Sequence, residues 1–276
     1  VMSGVFCVAG DGKRLASAST SPDEPLMHER PHLTGGYSQG VSCWRIMTNR
    51  ACGHLGVAAC GSIELSLPMG SIMKNVSELI ESRISANAFD TSRGLSDEQI
   101  EGLVRLATLA PSSFNAQNWK VIAVRTPEAK QRLKKVAYDQ PKIADAAVTF
   151  IICGTLAAHK GLPEALLPSV EKGIIERSVF DTWVAMANGM YEGNEVFQRD
   201  EAIRSASLCA MTLMLAAQGQ GLASGPMIGF DPAGVAREFQ LSASEVPAML
   251  IAVGYALPEN WPQKPRKALK QVLTLV

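Results

Sequence analysis

Apolar residues recur every three to four positions along Val76–Ile84, with Val76, Leu79, Ile80 and Ile84 on one side of a predicted helix. Ser96, Asp97, Glu98 and Gln99 give a capping-box signature ahead of a second stripe, Ile100, Leu103, Val104, Ala107 and Ala110. Trp119–Arg125 reads as a strand. Thr126 and Pro127 cap and open a helix that runs to Val136. Ala147–Cys153 is apolar throughout, the pattern of a strand covered on both faces. Helical periodicity returns over Arg177–Tyr191 and again from Asp200 to Gln220, where Gly221 stops it. Asp231 and Pro232 open a short helix, and Ala248–Tyr255 supplies a third strand. Elements in this order predict an α+β or α/β domain, a modest sheet wrapped by helices.

The helix from Asp200 to Gln220 carries apolar side chains around nearly its whole circumference. Such a helix must be buried on every side, which a large dimer interface achieves more easily than one domain of this size. The central helix of a monomer is the competing reading.

Residues 1–72 show no sustained period, yet they hold four of the six cysteines and three of the four histidines. Cys43, Cys52, His54 and Cys60 have the spacing C-x8-C-x-H-x5-C, which lacks the short paired ligand turns of a zinc site. The segment is expected to be a disordered extension or a non-native leader, with Met73 or Met69 as the natural start. One domain is then expected over residues 73–276, where 276 − 72 leaves 204 residues for its core.

Charge narrows the partners. The 26 basic and 26 acidic side chains balance, so there is no general attraction to nucleic acid or to an acidic membrane. The most apolar run, Ala206–Ala217, is shorter than the roughly 20 residues of a membrane span. The cysteines lack close pairing and no signal-peptide pattern is present, which points to a reducing cytoplasm. Cys153 and Cys209 sit in apolar runs and are expected to be buried thiols.

One turn is unusually polar. Pro111, Ser112, Ser113, Phe114, Asn115, Ala116, Gln117 and Asn118 lie between a helix and a strand that a few residues would join. Their hydroxyls and amides offer both donors and acceptors, which suits the edge of a heterocycle. Three basic clusters suit an anionic ligand: Arg83 with Ser85, Gln140 with Lys142, and Lys264 with Arg266. Downstream of Met73 the only histidine is His159, and no nucleophile elbow, P-loop, H-E-x-x-H or G-x-G-x-x-G motif occurs. An enzyme of this composition would rely on a bound cofactor.

These features, taken in order, resemble the nitroreductase family of FMN-dependent oxidoreductases over essentially all of residues 73–276. Arg83-Ile84-Ser85-Ala86-Asn87-Ala88-Phe89-Asp90 is similar to the family's opening R-x-S-x-[RK]-x-F-[DE] motif, and Ala110–Trp119 to its A-P-S-x-x-N-x-Q-P-W turn. Pro226–Asp231 and the closing Lys264-Pro265-Arg266 complete the set. The resemblance implies a three-layer sandwich with a mixed central sheet, and a homodimer holding two FMN molecules at its interface. Arg83, Ser85, Lys264 and Arg266 would hold the phosphate, with Ile84 and Asn87 in the same site. Pro111, Ser112, Ser113 and Asn115 would line the ring and ribityl chain. Ile228 and Gly229 would contact the flavin through their backbone, and Gln140 and Lys142 would face its pyrimidine edge.

The implied activity is ping-pong electron transfer from NADH or NADPH to a nitroaromatic, quinone or similar small-molecule acceptor, with no dedicated catalytic side chain. Alternatives within the fold are reductive dehalogenation, flavin fragmentation, or FMN binding without turnover. Two departures from the motif stand out: Asn87 replaces a cation, and Asn118 replaces a proline, which is expected to loosen the turn but adds an amide. Phe180, Trp183 and Tyr191 are the aromatic residues expected to form a lid over the ring, with helix packing as their other reading.

Overall fold

The computed structural model describes residues 75–276. The extension expected over residues 1–72, with Cys43, Cys52, His54 and Cys60, lies outside the described residues. The helices in chain order are α1 (Val76–Ser82), α2 (Asp97–Ala107), α3 (Pro127–Lys135), α4 (Pro141–Asp145), α5 (Ala158–Glu171), α6 (Arg177–Tyr191), α7 (Glu195–Gly219) and α8 (Pro232–Glu238). The strands are β1 (Trp119–Val124), β2 (Val148–Thr155), β3 (Ala223–Met227) and β4 (Glu245–Gly254).

The four strands form one sheet in the order β1-β2-β4-β3. All three strand pairs are antiparallel, and a single parallel bridge joins Ser85 to Ser224 at the β3 edge. Val148, Phe150 and Ile152 of β2 point to one face, while Ile151 and Cys153 point to the other. α2 and α7 cover the first face; α3, α4 and α8 cover the second. Burial on both sides explains why β2 is apolar at consecutive positions. The result is the expected three layers.

A third apolar cluster contains no strand residue. It joins α5, α6 and the start of α7 to the polar turn through Leu162, Phe180, Tyr191, Phe197 and Phe114.

The elements missing from the sequence pattern have physical reasons. β3 is short and carries Gly225 and Pro226, and a proline is tolerated there because the strand lies at the sheet edge. α5 contains Pro163 and Pro168, which disguise its helical stripe. α7 begins five residues before Asp200 because Asn194 caps it, its side-chain oxygen accepting from the Phe197 amide at 3.1 Å. α1 stops at Ser82, before the Ile84 end expected from its stripe, and Arg83 is already extended.

α7 spans 25 residues and packs on all four strands. Its apolar circumference is not fully covered within one chain: Leu208 and Met211 stay 40% and 37% exposed. On its covered side the approach is close. A Cβ added at Gly154 of β2 would collide with the Ala202 carbonyl of α7. Gly154→Ala is expected to lower stability by about 1–3 kcal/mol. The thermal midpoint would fall roughly 2–4 °C for each kcal/mol in a domain of this size. An unchanged midpoint would contradict this packing.

Candidate functional site

The first part of the site is assembled at the β3 edge. After α1 the chain lies along β3, where the Ala86 amide donates to the Ser224 carbonyl at 2.9 Å. Gly225 makes this possible, since a Cβ there would strike the Ala86 carbonyl. The segment after β4 returns to the same place. Gln263 donates through Nε2 to the carbonyls of Ile80 at 3.3 Å and Arg83 at 3.1 Å.

Asn260 fastens the two segments with one side chain. Its Oδ1 accepts from the amides of Asn87 at 2.7 Å and Ala88 at 3.0 Å, and its Nδ2 donates to the carbonyls of Ala88 at 2.7 Å and Leu257 at 3.0 Å. Arg83, Ile84, Ser85, Lys264 and Arg266 consequently line one cleft, beside Trp261. Residues more than 170 positions apart are thereby hydrogen-bonded.

The cleft is positive and has no acidic lining residue. Arg83 Nη1 donates to the Ile84 carbonyl at 3.0 Å, Arg266 donates to the Lys264 carbonyl, and the Lys264 ammonium lies 4.9 Å from the Trp261 ring centroid. Among the described residues none of these three cations has a carboxylate partner. Nearby, Lys142 donates to Asn87 Oδ1 at 3.1 Å. Burial, and then the neighbouring Lys264 charge, push the Lys142 ammonium below the usual lysine range. Such a cluster is stabilised by an anion. Asn87, which takes the place of a cation in the sequence motif, therefore holds a lysine from α4 beside it.

Gln140, Ile228 and Gly229 also meet. Gln140 Nε2 donates to the carbonyls of Ala137 at 3.1 Å and Gly229 at 2.7 Å, leaving its Oε1 without a hydrogen bond among the described residues. Ile228 is 79% exposed.

The second part, Pro111, Ser112, Ser113 and Asn115, precedes β1. Ser112 Oγ accepts from the Gln117 amide at 2.8 Å. Phe114, Asn115 and Gln117 all adopt positive φ, at 54°, 58° and 49°. Asn118 does not loosen the turn. Its buried side chain donates to the Thr155 carbonyl at 3.3 Å, and its own carbonyl accepts from the Thr155 amide at 2.8 Å, so it ties the turn to β2.

The two parts stand at diagonally opposite corners of the sheet. Trp119, which follows the turn, pairs with Gly154, which pairs with Val246 on β4; Ser224, which holds the Ser85 segment, pairs with Val253 on β4. Seven residues along β4 and three strand spacings across the sheet separate these corners by about 25 Å. One chain does not bring them together.

The aromatics expected as a lid are packed within the described chain. Phe180 and Tyr191 are buried, and Trp183 packs edge-on to Phe114 with ring centroids 6.2 Å apart. These contacts match the helix-packing reading of the three aromatics, with Phe114 of the turn in the same cluster. Sequence reasoning also missed Asn260, whose only signal is its place in the Pro258–Pro262 turn between β4 and the basic pair.

The nitroreductase family model matches residues 80–255. YodC of Bacillus subtilis, provisionally named an NAD(P)H nitroreductase, is 34% identical over 185 residues, covering 67% of this chain and 91% of the relative. A solved nitroreductase-like structure from Bacillus subtilis, ydfN, is 31% identical, with a TM-score of 0.69 over 72% of this chain and 98% of its own. A provisionally named nitroreductase from Exiguobacterium sibiricum, solved in complex with FMN, is 27% identical, with a TM-score of 0.69 over 74% of this chain and 98% of its own.

Asn260→Ala removes all four bonds of the knot and is expected to lower stability by about 1–3 kcal/mol. Amide exchange at Asn87 and Ala88 should rise with it. Thermal unfolding and exchange mass spectrometry check this, and wild-type values in both would contradict the assignment.

Proposed function

The chain belongs to the nitroreductase family, and on that premise we propose that it is an FMN-dependent oxidoreductase passing electrons from NADH or NADPH to electron-poor acceptors such as nitroaromatics and quinones. The observation that carries the reading is the cleft at Arg83, Ser85, Lys264 and Arg266. It has several donors and no acidic lining residue, which fits a phosphate. The relative solved with FMN and the NAD(P)H nitroreductase name given to YodC support the same cofactor and donor.

Arg83 and Arg266 offer guanidinium donors to the phosphate, with Ser85 as a neutral one. Lys142, held on Asn87, would add its charge near the ring. Gln140 Oε1 is free to accept from a ring N–H. FMN supplies the reversible two-electron chemistry when bound. Among the described residues the two thiols do not compete, because burial pushes Cys153 up to about 12 and Cys209 up to about 11, leaving both protonated at neutral pH. His159 is buried in the third cluster, away from the cationic cleft. Donor and acceptor are read as taking turns over the same exposed face, a ping-pong order that needs no acid or base from the protein.

The turn that would line the ring comes from a second copy of the chain. FMN, a tricyclic ring with a phosphorylated five-carbon chain, is roughly 15 Å long from ordinary bond lengths. The two motif segments of one chain are about 25 Å apart. A homodimer with two shared sites removes the mismatch, and the exposed Leu208 and Met211 of α7 supply apolar surface for its seam. The cysteine pattern supports a cytoplasmic setting for this activity, and no helix among the described residues is long and apolar enough to cross a membrane. Binding without turnover rested on the lost cation at Asn87, and the Lys142 ammonium beside it removes that support.

The purified full chain is expected to be yellow and to lose its flavin bands when NADH or NADPH is added without oxygen. Colour should return on adding a quinone or nitroaromatic. A protein that binds FMN but is reduced by neither donor would contradict the oxidoreductase reading, and one that cannot be loaded with FMN would contradict the cofactor.

A further inference from the structure

Phe114, Asn115 and Gln117 hold the left-handed backbone conformation, which L-residues adopt rarely and keep only where neighbours enforce it. Local bonds restrain part of the turn, through Ser112 to the Gln117 amide and Asn118 to Thr155. Phe114 has no side-chain bond of that kind. Its ring meets Trp183 of α6 edge-on, with centroids 6.2 Å apart and planes at 63°. Beside it the Ser113 hydroxyl lies close enough to the buried Tyr191 phenol to interact with it.

Tyr191 is itself held on several sides. Its ring is T-shaped against Phe197 at 4.9 Å and tilted against His159 at 5.6 Å. Its carbonyl accepts from Gln198 Nε2 at 2.8 Å, and Gln198 Oε1 accepts from the Ala157 amide at the start of α5 at 3.0 Å. The buried His159 closes the group through Glu192 at 2.8 Å. Burial keeps the Tyr191 phenol above its ordinary pKa, offset in part by Ser113 and Arg204, so it faces Ser113 uncharged. This cluster includes no strand residue, and α5 and α6 add nothing to either face of the sheet. Their buried surfaces meet the turn and the start of α7.

We propose that the α5–α6 pair is a positioning element for the cofactor-binding turn, with Trp183 acting through Phe114 and Tyr191 acting through Ser113 to hold Ser112, Ser113 and Asn115 in their presenting conformation. The proposal rests on the reading of that turn as part of a flavin site. Trp183 and Tyr191 are positioning residues: they set the shape of the groups that meet the ring.

The test compares the full chain with Tyr191→Phe, Trp183→Ala and Trp183→Phe. It measures FMN Kd by fluorescence, the visible circular dichroism of bound FMN, and amide exchange at residues 113–118 in the absence of FMN. Tyr191→Phe is expected to raise the Kd about fivefold, the scale of one hydrogen bond. Trp183→Ala should raise it about tenfold by removing the aromatic pair, and Trp183→Phe should return it to within about twofold of wild type. Exchange at 113–118 should quicken in Tyr191→Phe and Trp183→Ala, with α2 and β2 unchanged.

Folded Tyr191→Phe and Trp183→Ala proteins with wild-type Kd, dichroism and exchange would overturn the proposal. Should Trp183→Ala fail to fold, Tyr191→Phe decides alone, since it removes a single oxygen atom. Wild-type protein that takes up no FMN would overturn the functional reading instead, and the exchange comparison would then decide whether α5–α6 holds the turn.

Discussion

Hydrogen bonding across the four antiparallel strands fixes how far apart any two attached segments lie. The Ser85 segment is bonded to β3 at one edge, and the polar turn runs directly into β1 at the other. Neither can move toward the other without breaking the ladder between them. β2 and β4, the inner strands, are buried on both faces over much of their length, so the lattice is also the most protected part of the domain. The separation of the two motif segments is consequently a property of the fold, and the proposed completion of the site by a second copy rests on it.

Within the cationic corner, main-chain carbonyls and an aromatic face take the place that carboxylates occupy in ordinary surface ion pairs. Arg83 and Arg266 are oriented by carbonyls of their own neighbours, and Lys264 lies by Trp261. These contacts orient the side chains without cancelling their charge. Lys142 is part-buried and near Lys264, and the proposed phosphate would relieve that repulsion. The chain as a whole is neutral, so this is a local arrangement and not a general affinity for polyanions.

What could be read in the sequence was what local chemistry encodes. Ser96 and Gln99 form the capping box their spacing predicts, Thr126 and Pro127 open α3, and α6 runs from Arg177 to Tyr191 as its periodicity indicates. Arg83 with Ser85 and Lys264 with Arg266 were legible as basic pairs, and the structure places them in one cleft. β3 was hidden by Gly225 and Pro226, residues that an edge strand accepts and an inner one does not. Asn260 was silent because its four bonds join segments distant along the chain. Asn118 was misread as loosening because its partner, Thr155, lies on another strand. The diagonal placement of the turn was equally hidden, since strand order leaves no mark on any short motif.

Complementation between two defective variants tests the shared site most directly. Arg83→Ala/Arg266→Ala lacks the phosphate half, and Ser112→Ala/Asn115→Ala lacks the turn half. After the two proteins are mixed and their subunits exchanged, half of the dimers are mixed, and one of their two sites carries every wild-type residue. The account predicts a return of FMN binding and NAD(P)H oxidation to about a quarter of the wild-type level, well above either parent alone. Activity no higher than the parents, in a mixture where exchange has been verified, would contradict a site divided between two copies.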